Sequence, residues 1–191
     1  MEAGKRNITN IFNRTSILKI PHFQRSYVWK EEHWDRFLED MEYVSKKNFP
    51  YFMGSIILKQ QETSSEYLTR DIRTVVDGQQ RLTTILLFFK ALFNKNETPG
   101  KFSEIFKTFN DELILEHNYS DKSVFVKILL DNELKLSEED KDKQIFKCYD
   151  YFLKNIKKDE INPNNLLAGC PKYNFNKSKK IKISTKNSLR L

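Results

Sequence analysis

The sequence is poor in the residues that build metal clusters and disulfide frameworks. It contains two cysteines, Cys148 and Cys170, and three histidines, none of them at the short spacing of a zinc site. We therefore expect reduced thiols in a cytoplasmic protein. No apolar run is long enough to span a bilayer, and the N-terminal residues 1–6 contain no apolar signal region. These absences argue against a secreted disulfide scaffold, a zinc domain and a membrane protein.

Positive charge is concentrated at one end of the chain. The sequence has 33 basic and 26 acidic residues, and its formal net charge is +7. Seven of the basic residues and no acidic residue lie in 171–191, which leaves 26 of each sign in 1–170. Such a one-signed block is typical of a solvated tail, and from about Lys177 onward we expect it not to pack into the core. Residues 1–170 therefore lack the excess positive charge that favours nucleic-acid binding.

What the chain does contain is ample apolar material for a core. Apolar residues make up 39% of its 191 residues, including fifteen phenylalanines, which is enough for one good-sized domain with an appendage. Hydrophobic periodicity and turn residues predict the following elements: a short helix within 7–15, a strand at 16–20, a helix at 30–47, a strand at 51–60, a polar connection at 61–71, a strand at 72–76, a buried helix at 82–93, a linker at 94–100, a helix carrying the apolar residues of 102–113 and a capped helix from 137 through 156. The apolar run 124–130 fits either a helix or a strand.

These elements predict an α+β fold, in which a small mixed sheet is followed by a helical section. We divide the chain into a core at 1–95, a helical section of the same domain at 96–170 and the basic tail at 171–191. Gly54 lies inside a predicted strand, which is typical of a bulge or of a close approach by another group.

The most informative motif is the segment 75–84, Val-Val-Asp-Gly-Gln-Gln-Arg-Leu-Thr-Thr. Two β-branched residues lead into an Asp77-Gly78 turn, and an apolar helix follows. A helix that begins after a glycine turn presents free N–H groups and the positive end of its dipole, which favours an anion. Asp77 is the candidate catalytic carboxylate and a candidate Mg²⁺ ligand. The alternative is an Asx turn, in which its side chain caps its own backbone, and the two roles are compatible. Gly78 supplies a conformation or a close approach that a side chain would block.

A second cluster of the same chemistry, Gln24-Arg25, follows the first predicted strand. We expect it to share one cavity with Gln79, Gln80 and Arg81, with both guanidinium groups on phosphate oxygens and the amides on other polar atoms of the ligand. The alternative for Arg25 is a surface ion pair with Glu39 or Asp40. Trp29 is expected in the core, with stacking on a base as the alternative.

Three blocks of sequence resemble the N-terminal domain of GmrSD-type modification-dependent restriction systems. They occur in the family's order within about residues 8–95, and they are Ile20–Trp29 (IPHFQRSYVW) with the following Trp34, Phe37, Leu38 and Asp40, then Tyr51–Leu58 (YFMGSIIL), then Asp77–Arg81 (DGQQR). The resemblance implies a fold related to ParB and sulfiredoxin, with residues 1–95 as its nucleotide-binding core. It also implies binding and hydrolysis of a nucleoside triphosphate such as GTP, with Mg²⁺, in phage defence.

In this family the domain is typically joined to a C-terminal HNH-type nuclease domain. No histidine-rich nuclease motif occurs in 96–191, so we expect the nuclease to be a separate domain or a partner subunit. Because GmrSD-type N-terminal domains usually continue further, the lysine- and asparagine-rich ending resembles a truncated or frameshifted terminus.

Three functions remain open from the sequence. The first is an NTP-hydrolysing sensor that regulates a nuclease, with Asp77 and Arg81 as its catalytic residues. The second is a module that binds nucleotide or modified DNA without turning it over. The third, a ParB-like DNA nickase, is disfavoured by the balanced charge of residues 1–170, because phosphate contacts dominate DNA affinity.

Overall fold

The order of helices and strands follows the hydrophobic periodicity of the chain. The computed structural model describes residues 4–47, 51–61, 71–130 and 135–168. Within these ranges the chain forms eight helices and four strands, in the order α1 (Ile8–Ile11), β1 (Ser16–Lys19), α2 (Glu31–Lys47), β2 (Ile57–Gln60), β3 (Asp71–Asp77), α3 (Gln79–Lys95), α4 (Gly100–Phe106), β4 (Leu115–Glu116), α5 (Tyr119–Leu130), α6 (Glu138–Asp142), α7 (Gln144–Asn155) and α8 (Pro163–Ala168). The predicted α+β class is confirmed.

The four strands form one mixed sheet in the order β2-β3-β1-β4. β1 pairs in parallel with both β3 and β4, through the registers Lys19 to Thr74 and Lys19 to Glu116. β2 pairs antiparallel with β3. The C-terminal ends of β1, β3 and β4 therefore meet at the same edge of the sheet, which is where ligands bind in parallel sheets.

Helix α3 forms the centre of the hydrophobic core. Every residue from Leu82 to Phe93 is buried, including the polar Thr83, Thr84 and Lys90, so the helix is enclosed on all sides. It packs chiefly against α7, and also against α4 and α5. The ring of Phe88 meets those of Phe37 and Phe152 edge to face at 5.4 Å in each case, which ties α2, α3 and α7 together.

Three predicted elements are shorter or more broken than their apolar pattern indicates. The strand predicted at 51–60 is regular only at Ile57–Gln60, because the backbone takes a φ of +97° at Gly54. Helix α4 ends at Phe106, where Lys107 becomes extended and forms a bridge with Leu113. The helix predicted from 137 is two helices, since Lys143 is extended and ends α6 before α7 begins.

Other predictions are confirmed or lie outside the described residues. The apolar run 124–130 is helical, and Ser137 caps α6 in a reciprocal capping box with Asp140. The basic tail at 171–191, Cys170 and most of the polar connection at 61–71 fall outside the described ranges. In the part of the chain that the structure describes, none of the helices is both long and apolar enough to cross a membrane.

Candidate functional site

The turn between β3 and α3 is shaped by Gly78. Its φ is +98°, a left-handed conformation that favours glycine. A Cβ at this position would lie 3.0 Å from Ile56 Cγ1 and 3.4 Å from Ile56 Cα, so the turn also packs tightly on the neighbouring segment. Among the described residues, no side chain caps the first turn of α3. The helix therefore begins with backbone N–H groups and a positive dipole end that can face an anion.

This turn forms one wall of a cavity of about 420 Å³. All the residues predicted for the site lie around it, together with Val76 and with Trp29, whose predicted alternative was stacking on a base. The full set is Gln24, Arg25, Trp29, Val76, Asp77, Gly78, Gln79, Gln80 and Arg81. The volume falls within the range of small-ligand sites. The two amide–arginine clusters thus share one cavity, while the identity of what they bind remains a prediction.

The guanidinium group of Arg81 is held in place before any ligand arrives. Its Nη2 donates to the carbonyl of Ser55 and, at 3.2 Å, to Asp77 Oδ2. A Cβ on Gly54 would lie 2.4 Å from Arg81 Nη1, so the arginine lies directly against the glycine backbone. The Arg81 side chain is 27% exposed and that of Asp77 60% exposed. Both charged groups can therefore be reached from the cavity.

Arg25 is exposed and lines the same cavity. Within the described ranges no carboxylate pairs with it, so the predicted alternative of an ion pair with Glu39 or Asp40 is not what the structure shows. Trp29 lines the cavity as well, and its ring stacks on His33 at 5.4 Å with an angle of 18° between the planes. The cavity thus offers a cation that pairs with no carboxylate of the described residues, and a partly exposed aromatic ring.

The three glutamines hold the backbone around the cavity, a role that their sequence pattern does not reveal. We call residues 20–30, which join β1 to α2, the 20–30 loop. Gln80 accepts from Val28 N at 2.9 Å and donates to the Ser26 carbonyl at 3.2 Å. Gln79 donates to the Arg25 carbonyl at 3.0 Å. The amides of α3 therefore fix the loop that carries Arg25.

Gln24 lies in the 20–30 loop and contacts the backbone of β3. Its Nε2 donates to the carbonyls of Val75 and Val76, at 2.9 and 3.1 Å, near the end of β3. The 20–30 loop and the β3–α3 turn are therefore bound to each other by side chains from both. Any ligand contacts of these amides would have to come from the atoms that remain free.

Comparison with models of protein families shows which family the chain belongs to. The family model described as "GmrSD restriction endonuclease, N-terminal domain" matches residues 8–189. The chain belongs to this family. The match confirms the resemblance seen in the sequence and gives this GmrSD N-terminal domain a role in a restriction system. None of the curated proteins compared with the chain is similar to it.

The family resemblance also implies Mg²⁺, and the carboxylate of Asp77 fits a weakly held ion of this kind. Magnesium is commonly bound by one or two carboxylates together with substrate phosphates and water. Asp77 is more than half exposed at the cavity and keeps lone pairs beyond its contact with Arg81. Among the described residues there is no group of three or more His, Cys, Asp or Glu that could hold a metal by itself. A metal here would therefore depend on ligand phosphates.

Behind the 20–30 loop of this GmrSD domain lies a buried polar network centred on the hydroxyl of Tyr27. This hydroxyl contacts Thr84 Oγ1 at 2.7 Å, accepts from Trp34 Nε1 at 2.9 Å and donates to Cys148 Sγ at 3.2 Å. Burial raises the pKa of Tyr27 well above its usual value, and it also raises the pKa of the Cys148 thiol. The Cys148 thiol is therefore held in its protonated form, which is a poor nucleophile.

His22 lies outside the cavity of the site residues. It lines a neighbouring cavity of about 380 Å³ together with Lys19, Thr74 and His117. His117 is buried against Thr83 Oγ1 at 3.0 Å, and burial lowers its pKa. The sequence offers little indication of this arrangement, because the residues come from three different strands and their following turns.

Proposed function

We propose that this domain binds a nucleoside triphosphate at the β3–α3 turn and hydrolyses it, and that turnover regulates DNA cleavage by a linked or partner HNH-type nuclease. One observation carries the proposal. Arg25, Arg81, Asp77 and the uncapped start of α3 converge on a single cavity of about 420 Å³. Two cations, a helix N-terminus and one exposed carboxylate are a combination suited to phosphate groups.

The phosphate chain would contact both arginines of the cavity. Arg81 is fixed by the carbonyl of Ser55, so its guanidinium loses little freedom when it binds an oxygen. Arg25 lacks a carboxylate partner in the described chain and is free to close on the ligand. The planar fork of arginine suits a phosphate better than the point charge of lysine.

Asp77 is proposed as the residue that supports hydrolysis. The chemistry that a bound Mg²⁺ would supply is neutralisation of the charge that develops during phosphoryl transfer. The Asp77 carboxylate would hold that ion or orient the attacking water, since it lies at the cavity within 3.2 Å of Arg81 Nη2. Trp29, which lines the same cavity, supplies a ring on which a base can stack.

The test combines calorimetric affinity with phosphate release, for GTP and ATP, with and without Mg²⁺ and modified DNA. Arg81→Ala should weaken binding strongly, and Arg81→Lys should restore little of it. Asp77→Ala should still bind, while hydrolysis falls by on the order of a hundredfold or more, as expected for a group that acts in the transition state. Arg14→Ala is the matched control, because its guanidinium bonds the Lys107 carbonyl away from the cavity.

Each outcome separates one reading from the others. Hydrolysis by Asp77→Ala at the wild-type rate would make Asp77 a turn residue only. Binding without turnover by the wild-type protein would favour a non-hydrolysing nucleotide module. A protein that binds modified DNA but no nucleotide would favour a DNA-binding module. Nicking of that DNA would favour the ParB-like nickase.

A further inference from the structure

The 20–30 loop has no regular secondary structure, yet its backbone is bound on two sides. From α3, Gln79 and Gln80 bond its carbonyl and N–H groups. The second side is the start of α5, which follows β4 at the same edge of the sheet. Irregular segments are stable only when side chains or water satisfy their backbone groups. The residues of α5 therefore bear directly on where Arg25 sits.

Two buried side chains of this second side contact the loop. Asn118, 3% exposed, donates through Nδ2 to the carbonyl of Gln24 at 2.9 Å and to that of Arg25 at 3.3 Å. Asp121, 5% exposed, accepts from Tyr27 N at 2.7 Å. Both lie in the segment that the sequence marks only as part of a helical section.

We propose that Asn118 is a positioning residue for phosphate binding, because it fixes the backbone at Gln24 and Arg25 and so holds the Arg25 guanidinium at the cavity. The inference rests on the proposed nucleotide-binding function. Asn118 itself touches neither the cavity nor the ligand. It acts through Arg25, whose carbonyl receives one bond from Gln79 and one from Asn118.

The two ends of the Asn118 side chain do separate tasks, which allows a clean test. Its Oδ1 accepts from Asp121 N at 3.3 Å and so caps the first turn of α5. Its Nδ2 reaches the loop. Serine is an equally good capping residue but is too short to donate to the loop carbonyls. Asn118→Ser therefore removes the contact with the loop and keeps the helix cap.

The experiment is a double-mutant cycle on GTP and ATP affinity with Asn118→Ser and Arg25→Ala. Asn118→Ser should weaken binding on the order of tenfold, the usual effect of losing a buried hydrogen bond. Added to Arg25→Ala, it should change the affinity no further, because the group it positions is already gone. Ser137→Ala is the matched control. It removes a helix cap that bonds Asp140 N and not the loop, and should leave affinity unchanged.

Hydrogen exchange of the same variants provides a readout that needs no ligand. In Asn118→Ser, peptides that contain Tyr27 and Val28 should exchange faster, because their N–H groups are bonded only while the loop is in place. Unchanged exchange there, wild-type affinity in Asn118→Ser, or a full further loss on top of Arg25→Ala would each overturn the inference while leaving nucleotide binding intact. A wild-type protein that binds neither GTP nor ATP would instead overturn the proposed function itself, and the role of Asn118 with it.

Discussion

Gly54 contributes to the site through the side chain it lacks. A Cβ at Gly54 would lie only 2.4 Å from Arg81 Nη1. The carbonyl of the next residue, Ser55, accepts a hydrogen bond from the same guanidinium group. The positive φ of +97° at Gly54 turns the chain out of the strand that its apolar neighbours predict. One residue therefore both keeps the segment before Ile57 out of the regular strand and makes room for the arginine.

We expect Gly54→Ala to reduce triphosphate binding in the same direction as Arg81→Ala, because the added methyl group displaces the guanidinium. The strained φ should also lower the free energy of unfolding by about 1–3 kcal/mol. Gly100→Ala is the control, since nothing lies within 4 Å of a Cβ at that position and it starts a helix. Calorimetry and urea unfolding of both variants make the comparison. Wild-type affinity in Gly54→Ala would show that the contact with Arg81 does not matter for binding.

At the level of single residues, the sequence predicts special backbone positions better than it predicts their partners. A glycine inside an apolar strand pattern correctly indicates a close approach at Gly54. That the approaching group is Arg81 follows from tertiary packing, which no local pattern encodes. The same holds for Gln80, whose amide binds Val28 N and the Ser26 carbonyl, partners that the local pattern does not indicate.

Three helices meet at the hydroxyl of Tyr27. Thr84 belongs to α3, Trp34 to α2 and Cys148 to α7, and each contacts this one oxygen within 3.2 Å. Tyr27 itself lies in the 20–30 loop. The network therefore fixes how the loop sits on the helical core, which apolar contacts alone would leave less defined.

We expect Tyr27→Phe to lower the free energy of unfolding by about 1–3 kcal/mol, because the buried N–H of Trp34 loses its acceptor. The change removes one oxygen and leaves the packing volume nearly the same. Tyr43→Phe is the matched control at an exposed position of α2, with an expected change within about 0.5 kcal/mol. Urea denaturation curves measure both. Equal stability of the two variants would mean that water or a rearranged hydroxyl replaces Tyr27.

A sustained apolar period predicts the ends of a helix well. It fails where the backbone of one residue leaves the helical conformation within an apolar pattern. Helix α2 was predicted at 30–47 and is found at Glu31–Lys47. By contrast, the apolar residues of 102–113 indicate one helix, whereas the extended backbone of Lys107 and the positive φ of Asp111 end it early. Phe109 is then exposed beneath the guanidinium of Arg14. Periodicity records which face is apolar, but it does not record where a turn interrupts it.

At the scale of the whole molecule, the sheet and the site draw on both halves of the chain. β1 lies between β3 and β4, and β4 comes from the segment that the sequence assigns to the helical section. Helix α3 packs chiefly against α7. Residues 1–95 thus contain the cavity's lining, but they lack β4 of the sheet and the helices α5 and α7 that pack against α3.

We expect the fragment 1–95 to lack a cooperative unfolding transition, because α3 would expose the faces that α5 and α7 cover in the full chain. Circular dichroism against urea concentration measures this. The fragment 1–176, which loses only the end predicted not to pack, is the control and should keep nearly the midpoint of the full chain. A cooperative transition in 1–95 would show that the N-terminal part folds by itself.

The contacts of Asn118 and Asp121 also determine when, during synthesis, the loop can become ordered. They join residues 94 positions apart in the chain, Gln24 to Asn118 and Tyr27 to Asp121. Contacts of such long sequence separation form late, and on the ribosome they wait until the second partner has emerged. The segment with Gln24 and Arg25, although it is made early, therefore reaches its folded arrangement only after α5 has begun to form, in the same step that completes the sheet with β4.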